Sequence, residues 1–329
     1  MSLAQQEHLG EAALARSFSF YLRCPRCRQP LGILGPVFEG RTCSRCQVKI
    51  SCERGIWKAL LPEREAYFSS FIEDYEFIRE QEGRGSNKPQ YYLALPDRDL
   101  TGRNRLQWAI RARTFHYLDR RILPHVGPRL NARLRVLDLG AGNGWMSYRL
   151  ACQGHSPVAV DIGINDQDGL GAAEHYLSHL PVLFPRFQAE LDNLPFADHQ
   201  FDIAIFNASF HYSECYEKTL GEALRCTRPG GTVLIADTAW YQDDKTGQQM
   251  LKERREAFIK RYGFASDEIN SLEYLTDNRL HRLENIFGIT WQAHTPYYGL
   301  HWQLRPWLAK LRRARTPSQF RIYAATVNP

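Results

Sequence analysis

Val136-Leu137-Asp138-Leu139-Gly140-Ala141-Gly142-Asn143-Gly144-Trp145 runs from an apolar segment straight into three closely spaced glycines. The pattern predicts a buried strand over 135–139, a tight turn and then a helix. Glycine lets the backbone turn sharply and come close to a ligand with no Cβ in the way. A second apolar strand, Val158–Asp161, ends 21 residues after Gly140 on an acid, and a carboxylate there can accept both ribose hydroxyls. The dinucleotide spacing G-x-G-x-x-G fails because Trp145 stands at its third glycine, which argues against a pyrophosphate on this helix. Asp138, just ahead of the glycines, suits a ligand that carries an ammonium group.

Farther out, Phe187–Glu190, Phe201–Asn207, Thr232–Asp237, Ile289–Gln292 and Phe320–Val327 read as strands, with helical segments between the earlier ones. The alternation predicts an α/β domain with a mostly parallel sheet and helices on both faces. A helix should begin at Pro62, with acids in its first turn, and end near Gly83. Residues 103–123 read as another helix, and 241–275 as a charged helical insertion.

Four cysteines stand apart from this domain. Cys24-Pro25-Arg26-Cys27 and Cys43-Ser44-Arg45-Cys46 are two C-x2-C pairs with 15 residues between them. Each pair can turn two thiolates onto one tetrahedral zinc, and four thiolates leave no open position, so the metal is expected to be structural. Cys52, Cys152, Cys215 and Cys226 are expected to be small space-filling side chains, the last three buried. The chain thus divides into an N-terminal extension (1–20, helical), a zinc ribbon (21–61), a helical linker and lid (62–111) and an α/β domain (112–329) with an insertion at about 241–275 that is expected to cap its site.

The 329 residues are 43% hydrophobic and 24% charged, a globular composition that excludes a disordered or collagen-like chain. No apolar run approaches the roughly 20 residues of a membrane span. No export signal is read in MSLAQQEHLGEAALARSFSF, so the expected compartment is the cytoplasm, with reduced thiols. The net charge of +6 is unevenly spread: 21–61 carries 8 basic and 2 acidic residues, 97–135 carries 10 and 3, and 301–329 carries 6 and 0. Such patches either attract nucleic acid or phosphorylated ligands, or face the acidic parts of the same chain.

VLDLGAGNGW resembles motif I of class I S-adenosylmethionine (SAM) methyltransferases, and Val158–Asp161 their motif II. AELDNLPFADHQFD (189–202) and ALRCTRPGGTVLIAD (223–237) are similar to segments of the type 11, quinone-type members. The resemblance implies a Rossmann-like seven-stranded sheet and the cofactor SAM. It implies that Asp138 holds the methionine amino group, and that Gly140, Ala141, Gly142 and Gly144 line the methionine and ribose. Asp161 would take the ribose hydroxyls, Ile162 the adenine face, Glu190 and the Leu191 N–H the adenine edge, and Asn207 would border the methyl. Glu190 departs from the family's usual Asp. The cysteine module resembles the zinc-ribbon activator domains that partner methyltransferases, departing from them at Lys49-Ile50, where Tyr-Pro is common. That likeness implies a protein partner as one use of the ribbon.

The acceptor is read from NASFHYSE (207–214): Asn207, His211 and Tyr212 are the catalytic candidates, with His211 the best base because imidazole titrates near neutrality. The N-P-P-Y signature for amide or adenine amino groups is absent. Tyr297, Tyr298, His301 and Trp302 are candidates for stacking on a planar substrate. Tyr91 and Tyr92, with the loop 83–87, are expected to cover the cofactor as a lid hinged at Gly83 and Gly85. A small aromatic, quinone-like or secondary-metabolite acceptor is favoured. Ribosomal or transfer RNA is the alternative, and a non-catalytic binding protein of the same fold the second.

Overall fold

The computed structural model describes residues 20–34, 40–127, 130–265 and 268–328. The expected helical extension at 1–20 thus lies, all but its last residue, outside the described residues. The chain begins with five short strands: β1 (Phe20–Arg23), β2 (Pro30–Leu34), β3 (Arg41–Thr42), β4 (Lys49–Glu53) and β5 (Ile56–Lys58). Three helices follow, α1 (Pro62–Gln81), α2 (Pro89–Ala94) and α3 (Arg105–Tyr117). The second half continues β6 (Arg135–Leu139), α4 (Trp145–Cys152), β7 (Ser156–Asp161), β8 (Arg186–Gln188), β9 (Phe201–Asn207), α5 (Tyr216–Cys226), β10 (Thr227–Ala236), α6 (Asp244–Tyr262), α7 (Asp277–Phe287), β11 (Gln292–His294), α8 (Leu300–Leu311) and β12 (Ile322–Thr326).

Seven of these strands form the sheet in the order β11-β12-β10-β9-β6-β7-β8, parallel except for β12. This is the Rossmann-like class I methyltransferase arrangement, with β6 central and its glycine turn at the carboxyl edge. The central strands are almost wholly apolar and buried, as a sheet covered on both faces requires. Gly144, at φ +72°, caps α4, and a Cβ there would strike the Phe184 ring at 2.9 Å.

The sheet does not stop at β8. β5 pairs with it in parallel, Trp57 opposite Phe187, and β4 and β3 extend the order to ten strands. The cysteine module is therefore an edge of the catalytic sheet. β1 adds a second clamp, with Arg23 N–H donating to Pro195 O and Ala197 N–H to Tyr21 O. Phe20, Phe187, Phe196 and Phe201 fill the seam edge-to-face and stacked. Four ribbon arginines pair with acids outside it: Arg23 with Asp198, Arg26 with Glu63, Arg28 with Glu222 and Arg54 with Asp166. Half of the first basic cluster thus faces the chain's own acids.

Two expectations need correction here. Cys152 is exposed and Cys215 half-buried, so only Cys226 of the three is a core thiol. Helix 103–123 is regular only over Arg105–Tyr117; a wider turn at 118–122 then leads to Pro124.

Candidate active site

The four cysteine sulfurs all lie within 4.8 Å of one another, with Cys24–Cys46 and Cys27–Cys43 at 3.4 Å. A zinc tetrahedron with bonds near 2.3 Å has S···S edges of about 3.8 Å, so the group fits that ion. The two hairpins match each other. Arg28 N–H donates to Cys24 O and Gln47 N–H to Cys43 O, and both donors hold positive φ, 64° and 60°. Each turn thus presents its sulfurs in the same way, as a shared ion requires.

The main cavity opens beyond the carboxyl ends of β6, β7 and β9. Its floor is the 140–143 turn, one side is Asp161, Ile162 and Gly163, and another is Glu190, Leu191 and Asp192. Asn207, Ala208, Ser209 and Tyr212 close the far side. Gly140 (φ +74°) must be glycine: a Cβ there would lie 2.2 Å from Ser209 Cβ. Asp161 is pinned by Gly142 N–H at 2.7 Å and Gly163 N–H at 2.8 Å. Burial raises its pKa, while those N–H groups pull it back down.

The roof is α1. Arg64, Phe68, Phe71, Ile72, Tyr75, Glu76 and Arg79 recur at helical spacing along its inner side. Arg64 donates to Glu190 at 2.7 Å and lies over the rings of Tyr67 and Phe68. Arg79 pairs with Asp168 at 3.3 Å and donates to the Tyr75 hydroxyl. Arg111, from α3, also reaches the wall; it makes no hydrogen bond or ion pair among the described residues and packs on the Trp108 ring. Asn207 Oδ1 is buried and has no hydrogen-bond partner. A free guanidinium and an orphaned amide oxygen beside a glycine turn suit a zwitterionic amino-acid ligand.

Not every sequence candidate reaches this cavity. Gly140, Ala141, Gly142, Asp161, Ile162, Glu190, Leu191, Asn207 and Tyr212 line it, but Asp138, Gly144 and His211 do not. Asp138 is only 1% exposed, accepts from Ser147 Oγ at 2.8 Å, and is pushed up to about 7 by burial. It braces the turn from behind. His211 lies against Tyr212, near the Arg254–Glu273 pair, with Nδ1 buried and unpartnered; burial pulls it down to about 4.

Tyr91 and Tyr92 are buried away from the opening, Tyr92 stacked on His175 and bonded to Ser86 and Gln167. The covering element is α1. Tyr298 is buried against Thr114, Trp302 stacks on Phe320, and neither these nor Tyr297 and His301 line the cavity. Among the described residues of 241–275 only Ile269 lines it. Arg79 and Arg111 escaped the sequence reading. The available signal was Arg64 and Arg79, in phase with the apolar stripe of α1.

Residues 137–235 match the family described as methyltransferase domain. The malonyl-[acyl-carrier protein] O-methyltransferase of Erwinia pyrifoliae is 35% identical over 119 residues, 35% of this chain and 41% of that protein. An uncharacterized protein of Mycobacterium tuberculosis is 26% identical over 146 residues, 43% of this chain and 52% of its own length. The chain spans about half the length, or less, of the curated relatives it matches. Among solved structures, an S-adenosylmethionine-dependent methyltransferase from Mesorhizobium loti aligns at TM-score 0.43 and 18% identity, covering 67% of this chain and 97% of its own. Over residues 137–235 the chain thus carries a methyltransferase domain, set in a Rossmann-like sheet.

Proposed function

We propose that the chain transfers a methyl group from SAM to a small aromatic or quinone-like acceptor. The observation that carries this reading is the cavity at the glycine turn of the matched domain, walled by Asp161, Glu190 and Asn207 and roofed by aromatic rings. SAM, when bound, supplies an electrophilic sulfonium methyl. The residues around it would bind and orient. Asp161 takes the ribose hydroxyls, Ile162 packs on the adenine, and Leu191 offers its N–H to the adenine edge. Arg111, with Arg79 behind it, takes the methionine carboxylate, and Asn207 Oδ1 faces the amino end.

Phe68, Phe71, Tyr75 and Tyr212 make one side of the cavity aromatic, which favours a planar, largely apolar acceptor. His211 is a positioning residue here rather than the base, since it supports Tyr212 from outside the cavity. The relatives named for malonyl-[acyl-carrier protein] keep a small carboxyl acceptor in view. RNA is disfavoured because four of the six ribbon arginines are already paired within the chain.

The test is transfer of labelled methyl from SAM in an extract of the source organism. The product is split into organic-soluble and RNase-sensitive fractions. Organic-soluble label is expected; label confined to RNA overturns the acceptor, and failure to bind S-adenosylhomocysteine by calorimetry overturns the activity.

A further inference from the structure

Helix α8 contributes little to the folded core. None of its residues is buried, and Leu300, Leu304, Trp307 and Leu311 are 69%, 52%, 60% and 63% exposed. At 100° per residue these four fall within roughly 60° of the helix circumference, in one stripe about 16 Å long. The other side is held down: Trp302 stacks on Phe320 at 5.2 Å, and Arg305 covers Trp302 while donating to Ser318 O. The stripe is thus presented outward by a fixed helix.

Cations flank it. Lys310 lies on one side of the stripe and Arg312 on the other, with Arg313 just beyond the helix end. None of the three forms an ion pair among the described residues. Residues 301–329 hold six basic side chains and no acidic one. Among the described residues no helix is long and apolar enough to cross a membrane. Exposed Leu and Trp between unpaired cations is the composition of a helix lying in the plane of a lipid headgroup layer.

Topology places α8 on the same carboxyl edge of the sheet as the cavity. β11 is antiparallel to β12, and β12 to β10, so β11 runs with β10 and the chain leaves it on the carboxyl edge of the sheet. Tyr298, just ahead of α8, bonds Thr114, which donates to Asp237 directly after β10. We propose that α8 is an interfacial helix that docks the protein reversibly on an anionic lipid bilayer. Leu300, Leu304, Trp307 and Leu311 enter the headgroup boundary, and Lys310, Arg312 and Arg313 meet lipid phosphates. This inference stands on the helix alone and does not depend on the proposed reaction.

The full chain is tested by co-sedimentation with phosphatidylglycerol-containing vesicles and with pure phosphatidylcholine vesicles. Binding to the anionic vesicles, weakened by salt, is expected, with about a tenfold smaller bound fraction for L304Q/W307Q. Brominated lipid should quench wild-type fluorescence more than that of W307F. Melting and S-adenosylhomocysteine affinity report whether the variants stay folded. K310E/R312E/R313E, which changes only solvated side chains, should lose binding in the same way. Absence of binding to anionic vesicles, or full binding by both variants, overturns the proposal. So does a dimer, or a complex with an acidic carrier protein, that forms through the stripe while vesicles are ignored.

Discussion

The two edges of the sheet are finished in opposite ways. At one, β8 is paired with β5, the seam is packed with aromatic rings, and a four-sulfur cluster locks the added strands. At the other, β11 is three residues long and the helix that follows it shows leucines and a tryptophan to the outside. The closed edge lies next to Asp161 and Glu190, where the proposed cofactor would be held in one pose. The open edge lies next to Asp237 and Tyr298, across which other molecules can approach.

Loss of the metal should break this contrast most severely. One zinc per chain is expected by metal analysis. Cys43→Ser or strong chelation should cost about 5 kcal/mol and lower the melting midpoint by at least about 10 °C. Affinity for S-adenosylhomocysteine should fall with it, since Arg26 pairs with Glu63 and Arg64 with Glu190 at the start of α1. Unchanged affinity after metal removal would mean that the closed edge does not serve the cavity.

Asp161→Ala tests the cavity itself, and calorimetry should show binding weakened by about 1.5–3 kcal/mol, roughly 10- to 100-fold. Arg111→Ala should weaken it by about tenfold. Its melting midpoint should hardly move, because no ion pair is lost.

The last effect, read in stability rather than in binding, concerns His211. Burial holds it near 4 in the folded chain, below its ordinary value near 6.5. As pH falls, the unfolded chain takes up this proton first, so stability present above about pH 6.5 is lost towards pH 4. Asp138, near 7, and Asp237, near 6, act with the opposite sign: the folded chain keeps their protons longer, and stability falls as pH rises through those values. His211→Gln should therefore lose less stability than wild type between pH 7 and 5, by on the order of 2 kcal/mol in denaturant titrations. Its kcat should change less than about threefold; loss of turnover would make His211 the base after all.

The strands β6, β7, β9 and β10 were legible because buried parallel strands are unbroken apolar runs, and the glycine turn because positive φ demands glycine. The cysteine spacing was equally readable. The junction between the two was not: β5 is only Ile56–Lys58, and nothing in three residues announces that they will pair with Arg186–Gln188 far along the chain. Within the expected lid segment 62–111, the covering part was assigned to 83–92 rather than to α1 for a related reason. Phe68, Phe71 and Tyr75 give α1 an apolar stripe, and periodicity does not distinguish a stripe that faces a core from one that roofs a cavity. Tyr91 and Tyr92 look like lid aromatics in sequence yet serve as core. Asp138 and His211 have the right chemistry and neighbours in sequence, but one side of a strand and one turn of backbone turn them away from the opening.

Only Ala59, Leu60 and Leu61 separate β5 from α1, so the edge strand and the roof of the cavity are joined by a very short length of chain. A separate subunit pairing with β8 would come and go with dilution. A strand carried on the same chain is held near it at an effective concentration in the millimolar range or above, whatever the amount of protein in the cell. The finished edge is thus inherited with every copy of the chain, and needs no stoichiometric match to a second gene product.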